Sequence, residues 1–181
     1  MSSMREVNPQ MTPPKIKEIM NYLIDFIKNP VQKISHLPNW DWTELFLTQI
    51  TFAVVSGILA GLIKFNFYRV AFGVFLMPLV STLATMMLTT FFYYYFQFFE
   101  NRTESYRKIF TFVMLASIPF YIFQIASEYF QPIALIGFGF TSLLAVVGLT
   151  ENFKVERKRS FQIAGFLYAL VLVTWILQHF F

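Results

Sequence analysis

Residues 151–160 read ENFKVERKRS, and the reading of this stretch decides the fold. Lys154, Arg157, Lys158 and Arg159 fall within six positions, in a chain whose charged fraction is only 13%. Charge-free apolar runs close in on the cluster from both sides, ending at Leu149 and resuming at Phe161. Four basic residues so close together suit either nucleic acid or the anionic headgroups of a membrane. The flanking runs choose between them, because their aromatic and aliphatic residues are needed by lipid and leave no stacking platform for bases. Nucleic acid is therefore excluded as a partner, and the cluster is read as an anionic-lipid contact and topology anchor.

The whole chain supports the membrane reading. It is 56% hydrophobic and 20% aromatic, with 24 phenylalanines. A soluble domain is nearer half apolar and a quarter charged, and its helices carry charges along one face. The long runs here carry none. With no cysteine in the chain, disulfides, thiolate nucleophiles and thiolate metal sites are ruled out. The first ten residues, MSSMREVNPQ, are polar and lack the apolar core of a cleaved signal peptide, so insertion is expected to rely on the internal segments.

A spanning helix needs about 20 mostly apolar residues, because the hydrocarbon is about 30 Å thick and each residue rises about 1.5 Å. Working outward, the spans are expected at Phe46–Ile63, Val70–Phe99, Ile109–Ser127, Ile133–Leu149 and Phe161–Gln178. The second is too long for one upright span and too short for two, so it reads as one long tilted or emerging helix. The third and fourth share one apolar region broken by Glu128, Gln131 and Pro132. A single helix there would reach about 60 Å, twice the core, so a hairpin is expected instead. The expected fold is an all-α integral membrane protein. Residues 1–45 form a tail carrying an amphipathic interfacial helix, and residues 46–181 form a membrane domain of five transmembrane helices.

Lys and Arg set the orientation. The tail and the second and fourth loops hold twelve of them, and the first loop, Lys64 and Arg69, holds two. The amino terminus and ENFKVERKRS are therefore expected on the cytoplasmic side, and the carboxy terminus outside. Asn101-Arg102-Thr103 matches a glycosylation pattern but falls on the cytoplasmic side, so it is discounted.

In the tail, Ile16, Ile19, Met20, Leu23, Phe26 and Ile27 follow the spacing of one helix face, opposite Lys17, Glu18, Asn21, Asp25 and Lys28. Thr12 before Pro13 suits an N-cap, and Pro30 ends the helix. Its apolar face suits the cytoplasmic leaflet, the protein's own loops or a second subunit equally well. Next come Trp40 and Trp42, natural interface anchors. His36, Asp41 and Glu44 lie beside them, but without a second ligand-spaced histidine they read as headgroup contacts rather than a metal or acid–base site. No metal or cofactor is expected.

No Lys, Arg, Asp, Glu or His falls at the middle of any span. Proton relays and ion-coupled carriers need such groups at depth, and hydrolysis needs a general acid or base. What the spans do hold is small or weakly polar. Ala53, Gly57 and Gly61 repeat every four residues, a ladder that lets helix backbones approach. Pro78, Ser81 or Thr82, Thr85 and Thr89 follow one face of the second span, where hydroxyls are expected to satisfy the carbonyl that proline frees. Pro119, Gly137, Gly139 and Gly148 add kink or contact points. At the end of the second span, FFYYYFQFFE places Tyr93, Tyr94 and Tyr95 around the helix as an aromatic belt.

Several short stretches resemble the Yip domain family, small five-span membrane proteins with a cytoplasmic amino terminus. They are Phe26-Ile27-Lys28-Asn29-Pro30 before the first span, and Tyr106-Arg107-Lys108 leading into Ala116-Ser117-Ile118-Pro119. A third is Val147-Gly148-Leu149 with the basic loop, Ser160 and Ala164. The likeness covers most of the chain from about Phe26 onward. The Gly pair of many bacterial members and the acidic-Leu-Tyr-Gly-Pro element of eukaryotic ones are absent. In eukaryotes the resemblance implies Rab GTPases and vesicle traffic; bacterial members have no such partner, and the short tail here looks bacterial.

The implied function is non-enzymatic: membrane organisation, a scaffold, or a complex accessory in a bacterial inner membrane. The expected partners are the bilayer and a second membrane protein or cytoplasmic factor. The alternative is a small carrier or channel for a neutral or lipid-like solute, lined by the Ser/Thr face of the second span. A lipid-modifying enzyme using Asp41 and Glu44 ranks third. A wet cavity reaching Thr85 would favour the carrier, and a dry, close-packed bundle the scaffold.

Overall fold

In the computed structural model, residues 16–180 are described. The N-cap read at Thr12 and Pro13 lies outside them. Eight helices follow in order: α1 Ile16–Lys28, α2 Pro30–Ile34, α3 Trp42–Ile63, α4 Phe67–Phe99, α5 Tyr106–Ala116, α6 Ile118–Ala126, α7 Ile133–Phe153 and α8 Arg157–Phe180. Five stretches are long and apolar enough to cross a membrane, with α5 and α6 together forming the third. At about 1.5 Å per residue the 22 residues of α3 span about 33 Å, matching the hydrocarbon. The 33 residues of α4 reach about 50 Å as one continuous helix, so its ends lie beyond the hydrocarbon.

Local chemistry explains the breaks. The side chain of Asp41 accepts from the Glu44 backbone N–H at 2.8 Å, and Glu44 returns a bond to the Asp41 N–H at 2.9 Å. This capping box starts α3 four residues before the sequence expectation. It also gives the two carboxylates a structural use at the start of the first span. Between α5 and α6 the chain breaks at Ser117, whose N–H and hydroxyl both turn back to Val113 O at 3.1 and 2.8 Å. Pro119 then sits in the first turn of α6, where its missing donor costs nothing. At Pro78 the expectation needs correction. Ser81 donates to the Pro78 carbonyl at 3.2 Å, one turn beyond the Val74 carbonyl that the proline ring leaves free.

Of the four-basic cluster only Lys154 sits on a loop. α7 continues through Asn152 and Phe153, Lys154 adopts a left-handed conformation at its C-cap (φ 50°, ψ 30°), and α8 already begins at Arg157. Arg157, Lys158 and Arg159 are thus the first turn of α8. Positive charge there opposes the helix dipole. Glu100 and Glu156 offset it, at 3.4 and 3.7 Å from Arg159.

α5 is the centre of the bundle. Every residue from Ile109 to Ala116 is buried. Around it the rings of Phe92 and Phe96 from α4 meet Phe112 and Phe153, with Phe96 and Phe153 stacked at 5.0 Å. Gly148 admits this cluster, because a side chain there would strike the Phe112 ring. The FFYYYF belt is therefore split. Phe92 and Phe96 point inward, while Tyr94, Phe98 and Phe99 are exposed.

α1 and α2 cover one end of the bundle. Of the face read from the sequence, Ile19 and Phe26 are buried against the protein, while Met20 and Ile27 are exposed, together with Ile24 and Val31. The apolar face is wide enough to be shared: one edge docks on the protein and the other is left open. Tyr22 donates to Lys33 O at 3.0 Å and meets Trp40 edge-on at 5.2 Å. Burial pushes its hydroxyl up to about 12. Asn152 clips the tail to α7, donating to Ile34 O at 2.6 Å and accepting from the Leu37 N–H at 3.4 Å. Loops 100–105 and 154–156 share this tail end. The opposite end carries loops 64–66 and 127–132, tied by the Arg69–Glu128 pair at 2.6 Å.

Candidate functional site

The closest helix pairing in the bundle is α3 on α4. Ala53, Gly57 and Gly61 are all buried there. A methyl group on Gly57 would lie 2.6 Å from the Gly73 Cα, and one on Gly61 would lie 2.7 Å from the Val70 nitrogen. The ladder thus faces α4 of the same chain, backbone to backbone. One turn toward the tail end, Gln49 is wholly buried. Its Nε2 donates to Thr85 Oγ1 at 3.1 Å and to Tyr121 Oη at 2.8 Å, joining α3, α4 and α6. The Gln49 Oε1 has no hydrogen-bond partner among the described residues.

Thr85 and Tyr121 also line the other side of this junction, where the packing fails. Among the described residues α8 packs chiefly on α7. Between α4 and α8 a cavity of about 510 Å3 opens. Its walls are Met77, Ser81, Thr85 and Leu88 from α4, Ser117 and Tyr121 from the broken third span, Thr141 and Ser142 from α7, and Leu167 and Tyr168 from α8. No lining residue carries a charge. A separate, shallower hollow of about 640 Å3 lies between the same two helices nearer the tail end, lined by Met87, Tyr94, Gln162 and Phe166. There the Tyr95 hydroxyl donates to Glu100 at 3.0 Å, and Arg159 holds the same carboxylate. The cavity forms a cleft between α4 and α8 with hydroxyl-bearing residues in its wall, and the hollow ends at the charged pair near the tail.

The Ser/Thr face of α4 accounts for part of this wall. Ser81 and Thr85 line it, whereas Thr89 is buried and donates to Thr85 O at 2.7 Å. Sequence reasoning missed Gln49, Tyr121, Thr141, Ser142 and Tyr168. For Gln49 there was a signal: an amide at mid-span is costly in hydrocarbon unless it is bonded. A search for formal charge alone passes over it. Lys154, Arg157, Lys158 and Arg159 lie at the tail end, outside the cleft's deep part, with Arg159 alone turned to α4 through Glu100.

A second polar recess of about 320 Å3 lies under the tail, between Asn39, Trp40, Arg107, Lys108 and Asn152. Arg107 donates to Asn39 Oδ1 at 3.0 Å and Lys108 to Asn152 O at 3.0 Å. Lys108 also lies over the Phe153 ring at 4.7 Å. Arg107 thus seats the tail on the bundle, and Lys108 ties α5 to the end of α7.

Five apolar crossings, a buried central helix and outer helices with exposed apolar faces define a multi-span α-helical membrane protein. The family model of the Yip1 domain matches residues 24–178, from the middle of α1 nearly to the end of α8, and the chain belongs to that family. No curated protein and no solved structure matches it significantly.

Proposed function

We propose that the protein is a non-enzymatic membrane protein that organises, scaffolds or assists a membrane complex from a bacterial inner membrane. The observation that carries this reading is chemical: the five crossings hold no Lys, Arg, Asp, Glu or His at mid-depth, so neither proton transfer nor hydrolysis has a group to use there. The tail faces the cytoplasm in this reading, and the exposed edge Met20, Ile24, Ile27 and Val31 lies on the leaflet. The first turn of α8 supports that orientation. Three basic residues there weaken the helix dipole, so their value lies in the charge bias of the cytoplasmic side. No cofactor is required.

The test uses a feature of the sequence. Because the chain has no cysteine, single cysteines placed at Lys154 and Tyr129 can be labelled without background. In intact cells an impermeant maleimide should label Tyr129→Cys and spare Lys154→Cys; the reverse pattern overturns the orientation. For the role itself, deletion of the gene should remove a defined membrane complex on native gels. A purified protein that hydrolyses or transfers a lipid group would overturn the non-enzymatic reading.

The alternative of a carrier for a neutral or lipid-like solute is supported by the cleft that reaches Thr85. Its lining is mostly apolar, so it suits a solute that travels with lipid rather than with water. Reconstituted vesicles should then move a fluorescent lipid between leaflets faster than empty vesicles. An unchanged rate removes the carrier.

A further inference from the structure

We propose that the polar recess under the tail binds a phosphate group, carried by a phospholipid headgroup or by a free phosphate compound, between the tail and the first turn of α5. The site goes beyond the scaffold reading. It does not depend on which side the tail faces, because phospholipid phosphates line both surfaces of a bilayer.

The recess is built of donors. One wall is the tail segment Leu37, Pro38, Asn39 and Trp40, and the other is Ser105, Arg107, Lys108 and Thr111, with Asn152 from α7. Among the described residues two cations line it and no carboxylate does. Glu104 stands outside the lining, 3.5 Å from Lys108 and 3.6 Å from Arg102. Arg107 spends one N–H on Asn39 Oδ1. Lys108 spends one on Asn152 O and a longer one, at 3.5 Å, on Glu104. A guanidinium has five donors and an ammonium three, so both have donors to spare. The Lys108 side chain is 39% exposed and within reach of a ligand.

Trp40 is the observation that points to a ligand. The residue is 8% exposed and lines the recess, yet its indole N–H meets no acceptor among the described residues. The sealed side-chain atoms without partners there are Gln49 Oε1, Arg102 Nε, Gln124 Oε1 and Thr141 Oγ1. The Trp40 nitrogen is not one of them and keeps accessible surface. The backbone adds to this. Ser105 is the N-cap of α5, but its side chain makes no capping bond. The bond from the Ile109 N–H to Ser105 O opens the helix. The N–H groups of Tyr106, Arg107 and Lys108 are left unspent among the described residues, at the positive end of the helix dipole.

Geometry selects phosphate among anions. Two cations, an indole, a hydroxyl and a helix end approach from different directions, which suits a tetrahedral group better than a flat carboxylate. The Arg107 fork matches two phosphate oxygens at once. At about 320 Å3 the recess lies at the small end of ligand sites. α5 opens the third crossing, and Trp40 and Trp42 mark the headgroup level beside it. Both walls contribute donors, so a bound phosphate joins the tail to the bundle.

The test uses the full chain in dodecyl maltoside, a detergent without phosphate. Dihexanoyl phosphatidylglycerol is the lipid probe, inorganic phosphate the free one, and dihexanoylglycerol the control lacking phosphate. Native mass spectrometry reads binding, and the rate of proteolysis across residues 35–41 reads the seating of the tail. Phosphatidylglycerol should be retained and should slow cutting several-fold. Ser105→Asp gives the helix end its own carboxylate, and Asp caps a helix as well as Ser. It should weaken binding by about tenfold or more, and Lys108→Gln by about threefold to tenfold. If Ser105→Asp fails to fold, Lys108→Gln carries the test alone. Displacement of the lipid by inorganic phosphate assigns the recess to free phosphate compounds as well, and retention assigns it to the headgroup. Equal retention of dihexanoylglycerol, binding unchanged in the folded variants, or a cutting rate that ignores the bound lipid overturns the site.

Discussion

On its α3 side, α4 brings Gly73 so close to Gly57 that a methyl group on either would lie within 2.6 Å of the other's backbone. On its α8 side, the same helix leaves a cavity of about 510 Å3. Both faces are apolar, and both partner helices are long and uncharged at depth. What differs is the size of the side chains presented. Lipid gives no hydrophobic reward for pairing helices, so contact must come from packing and weak polar bonds. Glycines supply that on one side. On the other, bulky residues such as Leu83, Met87, Phe166 and Leu170 are content with lipid and remain exposed.

The strongest way to break this contrast is to spoil the tight seam. Gly57→Leu with Gly73→Leu should force α3 and α4 apart, costing about 1–3 kcal/mol for each substitution by overpacking. A thermal melt in detergent should fall sharply, and the protein should lose its monodisperse size-exclusion peak. An unchanged melt with loss of a larger species would place the glycine face in a dimer instead.

Less severe is the loss of the polar junction. Gln49→Ala strips Thr85 and Tyr121 of their common donor. Hydrogen bonds between membrane helices average about 0.6 kcal/mol, and an unsatisfied buried group costs about 1–3. A loss of about 1–2 kcal/mol in detergent or urea unfolding is expected. A neutral result would mean that the amide is dispensable to the seam and that α3 and α4 are held by glycine packing alone.

The seam was partly legible in the sequence and the cleft hardly at all, for one physical reason. Ala53, Gly57 and Gly61 announce themselves by repetition every fourth residue, but their counterpart Gly73 stands alone and carries no pattern. Five spans could be counted because crossing the hydrocarbon demands length and the absence of charge. Inside the membrane, however, buried and lipid-facing surfaces are equally apolar. α5 is buried from Ile109 to Ala116, while α8 leaves Phe166, Leu170, Val173 and Leu177 exposed, and composition does not separate them. The basic cluster was legible as charge and misplaced as structure, since Lys154 can cap a helix in a left-handed conformation that a search for glycine does not find. Thr141 looks like any other helical threonine until its neighbours are known.

At the far end, the turn before α7 is tied back to α4. Glu128 is nearly buried where it meets Arg69, whose side chain is half exposed. Glu128→Gln keeps the shape and removes the charge. Because screening reaches the exposed arginine, the expected loss is only about 1 kcal/mol. The effect should shrink further in high salt. Proteolysis at loop 127–132 reports it more directly than a global melt, since the pair holds a turn and not the core. Insensitivity to both the substitution and salt would show that the α6–α7 packing positions the turn unaided.

The smallest effect sharpens the contrast most. Gly165 lies on α8, and a methyl group there would meet nothing within 4 Å. Gly57 in α3 would meet the Gly73 backbone. The same change, glycine to leucine, is thus made once against a helix and once against lipid. At Gly165 the added side chain enters hydrocarbon that solvates it, and a helix interior without glycine gains up to about 1 kcal/mol in propensity. The melt of Gly165→Leu should therefore be unchanged or slightly raised, within about 0.5 kcal/mol of the parent or above it. A marked loss would mean that the open face of α8 is covered by something the single chain does not contain, and the asymmetry of α4 and α8 would then be an interface between copies. Measuring the melt at two protein-to-detergent ratios decides this, because a covering second copy makes the loss depend on concentration and a lipid-facing residue does not.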